Sequence, residues 1–186
     1  MNNLKYIKPI SWEDVFLIWA SGEADLPRWI EHYKSRGFSS WEEWRKNSVK
    51  DLNPEKLKWD LYEVIDPLKT VPGFRAGPFR AWMKKYYGDK EMPPFKDLAK
   101  NLELQNLAYV SELIKNFPKE STIIGLVKDK EIIVIEGMHR CSALAVANEK
   151  NITMNFKLFL ILAEFLGDIP VLGQINSPTW TPQKVQ

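Results

Sequence analysis

The segment EIIVIEGMHRCSALAVA, residues 131–147, holds the residue types best suited to chemistry. Its β-branched run predicts a buried strand, its alanine-rich end predicts a helix, and Gly137 allows a sharp turn between them. Free backbone N–H groups and the helix dipole favour an anion at such a turn. Arg140 adds planar, paired donors for phosphate oxygens, and His139 can donate a hydrogen bond or exchange a proton near neutral pH. We therefore predict a phosphate site formed by Gly137, Met138, His139 and Arg140.

A purely structural interpretation of the same turn stays open. Glu136 and Arg140 can form an ion pair that closes the turn, and His139 can be a partly buried histidine whose hydrogen bonds are satisfied within the protein. The predicted strand before the turn and the predicted helix after it favour the phosphate site.

A second segment, RAGPFR at residues 75–80, is also suited to anions. Arg75 and Arg80 flank a glycine and a proline that would open a helix. If this loop folds over Gly137, either arginine can hold a second phosphate or a substrate carboxylate. The alternative is a surface loop with two solvated arginines.

Residues 131–147 also resemble the strand–turn–helix signature of the ParB and sulfiredoxin-like superfamily. Its members carry Asp-Gly-His-His-Arg, Gly-Glu-Arg-Arg or Gly-Cys-His-Arg variants, followed by an alanine-rich helix. Residues 108–116 and 122–127 are similar to the helix and strand that precede the signature, and residues 59–72 to the first strand and turn. The resemblance covers roughly residues 57–165.

The resemblance implies that a nucleotide phosphate is held at the turn, although the chemistry differs between members. ParB proteins bind CTP and centromeric DNA, free serine kinases transfer phosphate from a nucleotide to serine, sulfiredoxin reduces a cysteine sulfinic acid with ATP, and some relatives are nucleases. The expected ligand is ATP or ADP, with CTP as an alternative and Mg²⁺ bridging the phosphates.

Two of these activities fit the residues poorly. Sulfiredoxin places its reactive cysteine directly before the His-Arg pair, where this chain has Met138; Cys141 follows the pair and is interpreted as a packing residue. Partition proteins carry a helix-turn-helix domain after the signature, for which few residues remain here. The net charge of +2 also makes DNA an unlikely partner.

The kinase motif matches best, with Glu136 in place of its aspartate and Met138 in place of one histidine. The resemblance implies a nucleotide-dependent phosphotransferase that acts on a small hydroxyl-bearing molecule. Glu136, His139 and a glutamate from an early strand, Glu63, are the expected catalytic residues. The alternatives are a non-catalytic nucleotide- or partner-binding module and a ParB-like nuclease, whose metal-binding carboxylates the sequence does not place.

The N-terminal third predicts short helices rich in aromatic residues. Ser11 is suited to cap one helix, Pro27 to open a second, and Ser39-Ser40 to cap a third with Glu42 or Glu43 as the partner. The chain has eight tryptophans, and five lie in this region: Trp12, Trp19, Trp29, Trp41 and Trp44. Their helical spacing favours a core built from large rings, and the alternative is a surface that stacks bases or docks a protein partner.

The remaining elements alternate between strands and helices. Residues 59–65 predict a strand, residues 71–78 a loop, and Pro78 the start of a helix that ends at Gly88. Later segments predict a helical stretch over 95–117 interrupted near Asn101, a hairpin of strands 122–127 and 131–135, a helix over 140–148 and a strand within 153–163.

Together these elements predict an α+β fold, a small mixed β-sheet with flanking helices, preceded by an aromatic-rich helical subdomain. The expected boundaries are residues 1–56 for that subdomain, 57–166 for the ParB-like domain and 167–186 for a tail that packs on the surface or trails away.

Composition limits the location and partners of the protein. The chain is 45% hydrophobic and 27% charged, and its longest apolar run falls short of the roughly 20 residues that cross a bilayer. The short apolar run predicts that the protein has no membrane anchor. The single cysteine excludes an internal disulfide, which favours a reducing compartment, so we expect the protein to be cytoplasmic. The basic pairs Arg45-Lys46 and Lys84-Lys85 are interpreted as solvated helix faces.

Overall fold

The computed structural model of the protein describes residues 3–88 and 90–173. In this part of the chain, helices flank both faces of a six-stranded mixed sheet, which confirms the predicted α+β class. The strands are β1 (Leu4–Ile10), β2 (Trp59–Val64), β3 (Arg75–Ala76), β4 (Glu120–Lys128), β5 (Glu131–Glu136) and β6 (Lys157–Glu164). They lie in the order β1-β2-β6-β4-β5-β3.

The central strands of the sheet correspond to strands predicted from the sequence. β4 and β5 form an antiparallel hairpin, and β4 pairs in parallel with β6. The hairpin turn places Asp129 and Lys130 at φ angles of 51° and 66°, as expected for a two-residue turn with left-handed backbone. The hairpin and the β2 strand predicted from the sequence are therefore confirmed.

β1 was not predicted, because the sequence indicated only helices in this region. It pairs antiparallel with β2, from Leu4 opposite Val64 to Ile10 opposite Trp59. Most of its side chains are exposed, and the segment LKYIKPI carries lysines and a proline typical of an edge strand. Without a buried face, the segment has no clear apolar alternation to reveal the strand.

The helices form two layers. The first, here called the N-terminal layer, consists of α1 (Trp12–Glu23), α2 (Pro27–Lys34) and α3 (Trp41–Val49). On the other face lie α4 (Pro67–Thr70), α5 (Arg80–Trp82), α6 (Phe95–Leu98), α7 (Leu102–Gln105), α8 (Ala108–Lys115) and α9 (Met138–Glu149). α5 continues as a π-helical turn over Met83–Tyr87.

The predicted caps set the ends of the N-terminal helices. The Ser11 side chain accepts a hydrogen bond from the Asp14 N–H at 3.1 Å and begins α1. The Ser40 hydroxyl accepts from the Glu43 N–H at 3.1 Å, and the Glu43 carboxylate accepts from the Ser39 N–H at 2.8 Å. The carboxylate therefore bonds the residue before the N-cap, a variant of the capping box that fixes the start of α3 and identifies Glu43 as the partner.

The tryptophans mainly build the core between the N-terminal layer and the sheet. Trp19, Trp41 and Trp44 are buried there, together with Trp59 of β2. Trp19 and Trp41 meet edge to face, with ring centroids 6.0 Å apart. The core interpretation is confirmed for these rings, and docking of a protein partner through this region stays a prediction.

The segment after β6 packs on the body of the protein. Leu172 is buried; its N–H donates to the Pro78 carbonyl, and its carbonyl accepts from the Arg80 N–H. Packing of this segment on the body of the protein agrees with the expected surface tail up to Gly173, and residues 174–186 lie outside the described part. None of the helices within residues 3–88 and 90–173 has both the length and the apolar character that a membrane span requires.

Candidate functional site

The predicted strand–turn–helix junction is present at Gly137. β5 ends at Glu136, α9 begins at Met138, and Gly137 adopts φ 95° between them. A Cβ at this position would lie 2.5 Å from Cγ2 of Ile123. Both the left-handed backbone and the close approach of Ile123 therefore require glycine.

A cavity of about 220 Å³ lies beside this turn. It is bounded by the N-terminal layer on one side and by α5, Tyr109 of α8 and the start of α9 on the other. The charged residues in its lining are Arg28, Arg36, Arg45, Arg80, Arg140, Glu23 and Glu136. Both histidines of the chain, His32 and His139, also line it.

Arg140 makes the ion pair that the structural interpretation of the turn predicts. Its Nη2 contacts both carboxylate oxygens of Glu136, and its Nη1 donates to the Ser121 hydroxyl at 2.8 Å. Burial raises the pKa of the Glu136 carboxyl, and the positive charge of Arg140 opposes that rise. Arg140 is thus paired within the protein, and its contact with a phosphate stays a prediction.

Arg45 is buried, so its interpretation as part of a solvated basic face is wrong. Its Nε donates to Glu23 Oε2 at 2.8 Å. Its guanidinium lies 3.9 Å from the ring centroid of Trp44, 4.9 Å from that of Trp19 and 5.1 Å from that of Trp29. The ion pair and the ring contacts stabilise a charge that burial would otherwise destabilise.

The two histidines are neutral components of the cavity wall. Burial, followed by the charges of Arg28 and Arg140, lowers the pKa of His139 to about 4. Burial, Arg36 and Arg45 likewise lower the pKa of His32 to about 4. At neutral pH, His139 can donate or accept a hydrogen bond, but its titration lies well below the range expected from the sequence.

The ring contacts of the histidines explain this burial. His139 lies between Trp82 and Tyr109, with centroid distances of 4.9 Å and 5.3 Å. His32 lies 4.9 Å from Trp44 and 5.5 Å from Trp29. Both imidazoles are therefore held in fixed orientations by aromatic neighbours.

The structure separates the other predicted site residues. Arg80 lines the cavity, whereas Arg75 pairs with Glu131 at the far end of β5. Glu63 pairs with Lys5 of β1 at 3.3 Å and does not reach the cavity. The expectations for Arg75 at the phosphate and Glu63 at the acceptor are therefore not supported by their positions.

Met138 and Cys141 serve the core. The Met138 side chain packs in the core beneath α9, and the residue also borders the cavity. Cys141 is fully buried, and burial raises the pKa of its thiol. Its interpretation as a packing residue agrees with this position.

Most of the cavity-lining residues that were not predicted from the sequence belong to the N-terminal layer. Arg28, Trp29 and His32 lie on α2, and Arg36 follows it. The motif PRWIEHYK places Arg28 and His32 four residues apart, on one face of a helix. That spacing was a usable signal, but only the tertiary fold brings this face to Gly137.

The carboxylates of the cavity are poorly suited to hold Mg²⁺. Glu23 and Glu136 are each paired with an arginine. Within residues 3–88 and 90–173, no three His, Cys, Asp or Glu side chains cluster as a metal site. Magnesium therefore stays a prediction from the resemblance.

No protein-family model matches the chain, and comparisons with curated proteins and with solved structures likewise found no match. The resemblance to the ParB and sulfiredoxin-like superfamily stays a prediction that rests on residues 131–147.

Proposed function

We propose that the protein binds a phosphate-bearing small molecule of the nucleotide class in the cavity beside Gly137. The proposal rests on the charge of the cavity lining, which contains five arginines and two glutamates. Both glutamates are already paired, with Arg45 and Arg140. An anionic ligand would neutralise the excess positive charge.

Three of the arginines supply that excess. In the described part of the chain, Arg28, Arg36 and Arg80 make no ion pair with an acidic side chain. They come from three places, α2, the segment after it and α5, and converge on one cavity. Arginines that converge without acidic partners are typical of sites that bind phosphate.

The start of α9 is the expected position of the phosphate. Its first backbone N–H groups have no partner within the helix, and the helix dipole favours an anion there. The neutral imidazole of His139 and the guanidinium of Arg80 line the same cavity. Arg140 supports the site indirectly, because it neutralises Glu136, which would otherwise repel the phosphate.

Titration calorimetry with ADP, ATP, CTP and inorganic phosphate tests the proposal. Arg80→Gln should weaken binding about tenfold or more, since a charge-assisted hydrogen bond contributes roughly 1.5–3 kcal/mol. Arg75→Gln is the matched control, because Arg75 pairs with Glu131 and lies outside the cavity lining.

Both arginine substitutions remove one positive charge from the same segment, so a nonspecific charge effect would weaken binding equally in the two variants. An equal effect, or wild-type protein that binds none of the four ligands, would contradict the proposal.

A phosphotransferase is the second candidate, and the position of Glu136 favours it. Glu136 lines the cavity beside Gly137 and also a neighbouring cavity of about 390 Å³. Ser21, Ser121 and Thr122 line that second cavity, which suits a small hydroxyl-bearing acceptor. Burial raises the pKa of Glu136 and makes it a better proton acceptor.

In such a reaction the acceptor oxygen forms a bond to the terminal phosphorus, and the bond from that phosphorus to its bridging oxygen breaks. The hydroxyl proton passes to Glu136. Glu136→Gln should then lower turnover at least a hundredfold without weakening nucleotide binding, because the substitution removes a negative charge beside the phosphate. A thermal melt establishes that the variant is folded.

Phosphorus NMR with a nucleotide, magnesium and a panel of small hydroxyl compounds measures this turnover. Glu63→Gln is the control, because Glu63 lies away from both cavities. Tight nucleotide binding without acceptor-dependent turnover would reject the transferase and leave a binding protein.

A further inference from the structure

The wall of the cavity formed by the N-terminal layer has buried donors without acceptors. The indole N–H groups of Trp19 and Trp29 are buried, and no acceptor in the described part of the chain faces either one. Trp19 is 2% exposed. A buried donor without a partner costs about 1–3 kcal/mol. Both rings line the cavity, so a ligand acceptor atom that reached either nitrogen would satisfy its N–H.

Arg36 lies on the same wall and lacks a counter-ion. Burial lowers the pKa of its guanidinium. Its Nη1 donates to the backbone carbonyl of His32 at 3.2 Å, and in residues 3–88 and 90–173 it pairs with no carboxylate. A partly desolvated guanidinium is stabilised when an oxyanion binds beside it.

The other charged groups on this wall leave it positive. Glu23 is the nearby acid, and its Oε2 already accepts hydrogen bonds from Arg45 and Trp41. His32 is neutral, and its pKa of about 4 reflects burial and the positive charges of Arg36 and Arg45. The wall therefore presents donors and positive charge.

We propose that Trp19, Trp29 and Arg36 form a second oxyanion subsite, so that the ligand carries two anionic groups. One group lies at the Gly137 turn, as in the proposed function on which this inference rests, and the other lies against the N-terminal layer. The second oxyanion is a phosphate or a carboxylate, since both accept several N–H donors at once.

A cationic occupant is excluded by Arg45. Its guanidinium already lies over Trp44 at 3.9 Å and near the rings of Trp19 and Trp29. The aromatic faces that would attract an ammonium group therefore hold a protein cation, and a second cation would be repelled.

Titration calorimetry with three small probes tests the second subsite. Methyl phosphate carries one anionic group, phosphoglycolate adds a carboxylate, and inorganic pyrophosphate adds a phosphate. Wild-type protein should bind at least one of the two-anion probes about tenfold or more tightly than methyl phosphate. The tighter of the two identifies the second group.

Two substitutions test whether the higher affinity for two-anion probes comes from the second subsite. Arg36→Gln and Trp29→Phe should each reduce the ratio of the two-anion affinity to the methyl phosphate affinity, because each removes a donor of the second subsite. The controls are Lys34→Gln, an exposed charge on α2, and Trp12→Phe, a ring that stacks on Trp59 outside the cavity. A thermal melt of each variant establishes that it is folded.

The outcomes separate the two proposals. The second subsite would be overturned, while the proposed function stands, if the protein bound methyl phosphate as tightly as both two-anion probes. The same conclusion would follow if Arg36→Gln left the higher affinity for a two-anion probe unchanged. No binding of any probe or nucleotide would overturn the proposed function and the second subsite together.

Discussion

Arg140 combines two roles that the sequence alone does not distinguish. Its guanidinium is bonded to Glu136 and Ser121, so it maintains the turn as well as the charge of the cavity. Removing it would leave the buried Glu136 carboxylate without a partner. A substitution at Arg140 therefore reports on folding before it reports on binding.

We expect Arg140→Ala to lower the free energy of unfolding by about 3 kcal/mol, because one partner of a buried ion pair is left uncompensated. Urea denaturation at pH 7 measures the change. Arg75→Ala is the control, since its pair with Glu131 is partly exposed and should contribute less than about 1 kcal/mol. Equal losses in the two variants would contradict a structural role for Arg140.

His139 makes stability depend on pH in a defined window. Its pKa is about 4 in the folded protein, against 6.5 for a free histidine, so the unfolded chain binds an additional proton between these values. Stability from this group is present above pH 6.5 and is lost as the pH falls toward 4. Glu136 acts in the opposite direction, because burial raises its pKa.

His139→Gln should therefore lose less stability than the wild type when the pH is lowered from 7 to 5. The difference should approach about 1.4 kcal/mol for each pH unit within the window. Urea denaturation of both proteins at several pH values measures it, and the contribution of Glu136 cancels in the comparison. Parallel pH profiles would contradict a partly buried, neutral His139.

At the scale of elements, the β5–α9 turn depends on the absence of a side chain at Gly137. Gly137→Ala should lower the free energy of unfolding by at least about 2 kcal/mol, because a left-handed alanine costs roughly 1–2 kcal/mol and its Cβ would also clash with Ile123. Gly73→Ala is the matched control, since a Cβ at this position would meet nothing within 4 Å and its φ is not positive. Chemical denaturation of both variants provides the comparison.

The sequence predicted this turn because its signals are local. A β-branched run, a glycine and an alanine-rich segment each indicate their own conformation within 17 residues, 131–147. The hairpin and the serine caps were predictable for the same reason. These elements are specified by neighbours in the chain, so pattern and propensity suffice.

The rest of the site depends on tertiary placement. Arg75 and Arg80 looked equivalent in the sequence, yet parallel pairing of β3 with β5 directs Arg75 to Glu131, while Arg80 reaches the cavity. The arginines of the N-terminal layer carry no motif. β1 has no buried face, which removes the alternation that would have predicted it.

At the scale of the molecule, the N-terminal layer is part of the same folded body as the sheet. It covers one face of the sheet, including Trp59 and Ile161, and β1 extends the sheet itself. It also forms one wall of the cavity. The N-terminal layer thus contributes to both the core and the candidate site.

Deletion of residues 1–50 should therefore give an insoluble or molten product. The deletion removes β1 and the three N-terminal helices, and it exposes a large apolar face of the sheet. Expression, gel filtration and a thermal melt measure the outcome. A soluble truncated protein with an unchanged cooperative melt would instead favour a detachable docking module.

The central claim is that an anionic ligand binds between the β5–α9 turn and the N-terminal layer. A ¹⁵N–¹H NMR titration of the wild type with ADP and with pyrophosphate tests it most directly, because the experiment reports affinity and position together. We predict saturable shifts for the backbone amides of residues 137–140 and for the indole N–H signals of Trp19 and Trp29. Absence of shifts with either ligand, or saturable shifts confined to residues remote from the cavity, would contradict it.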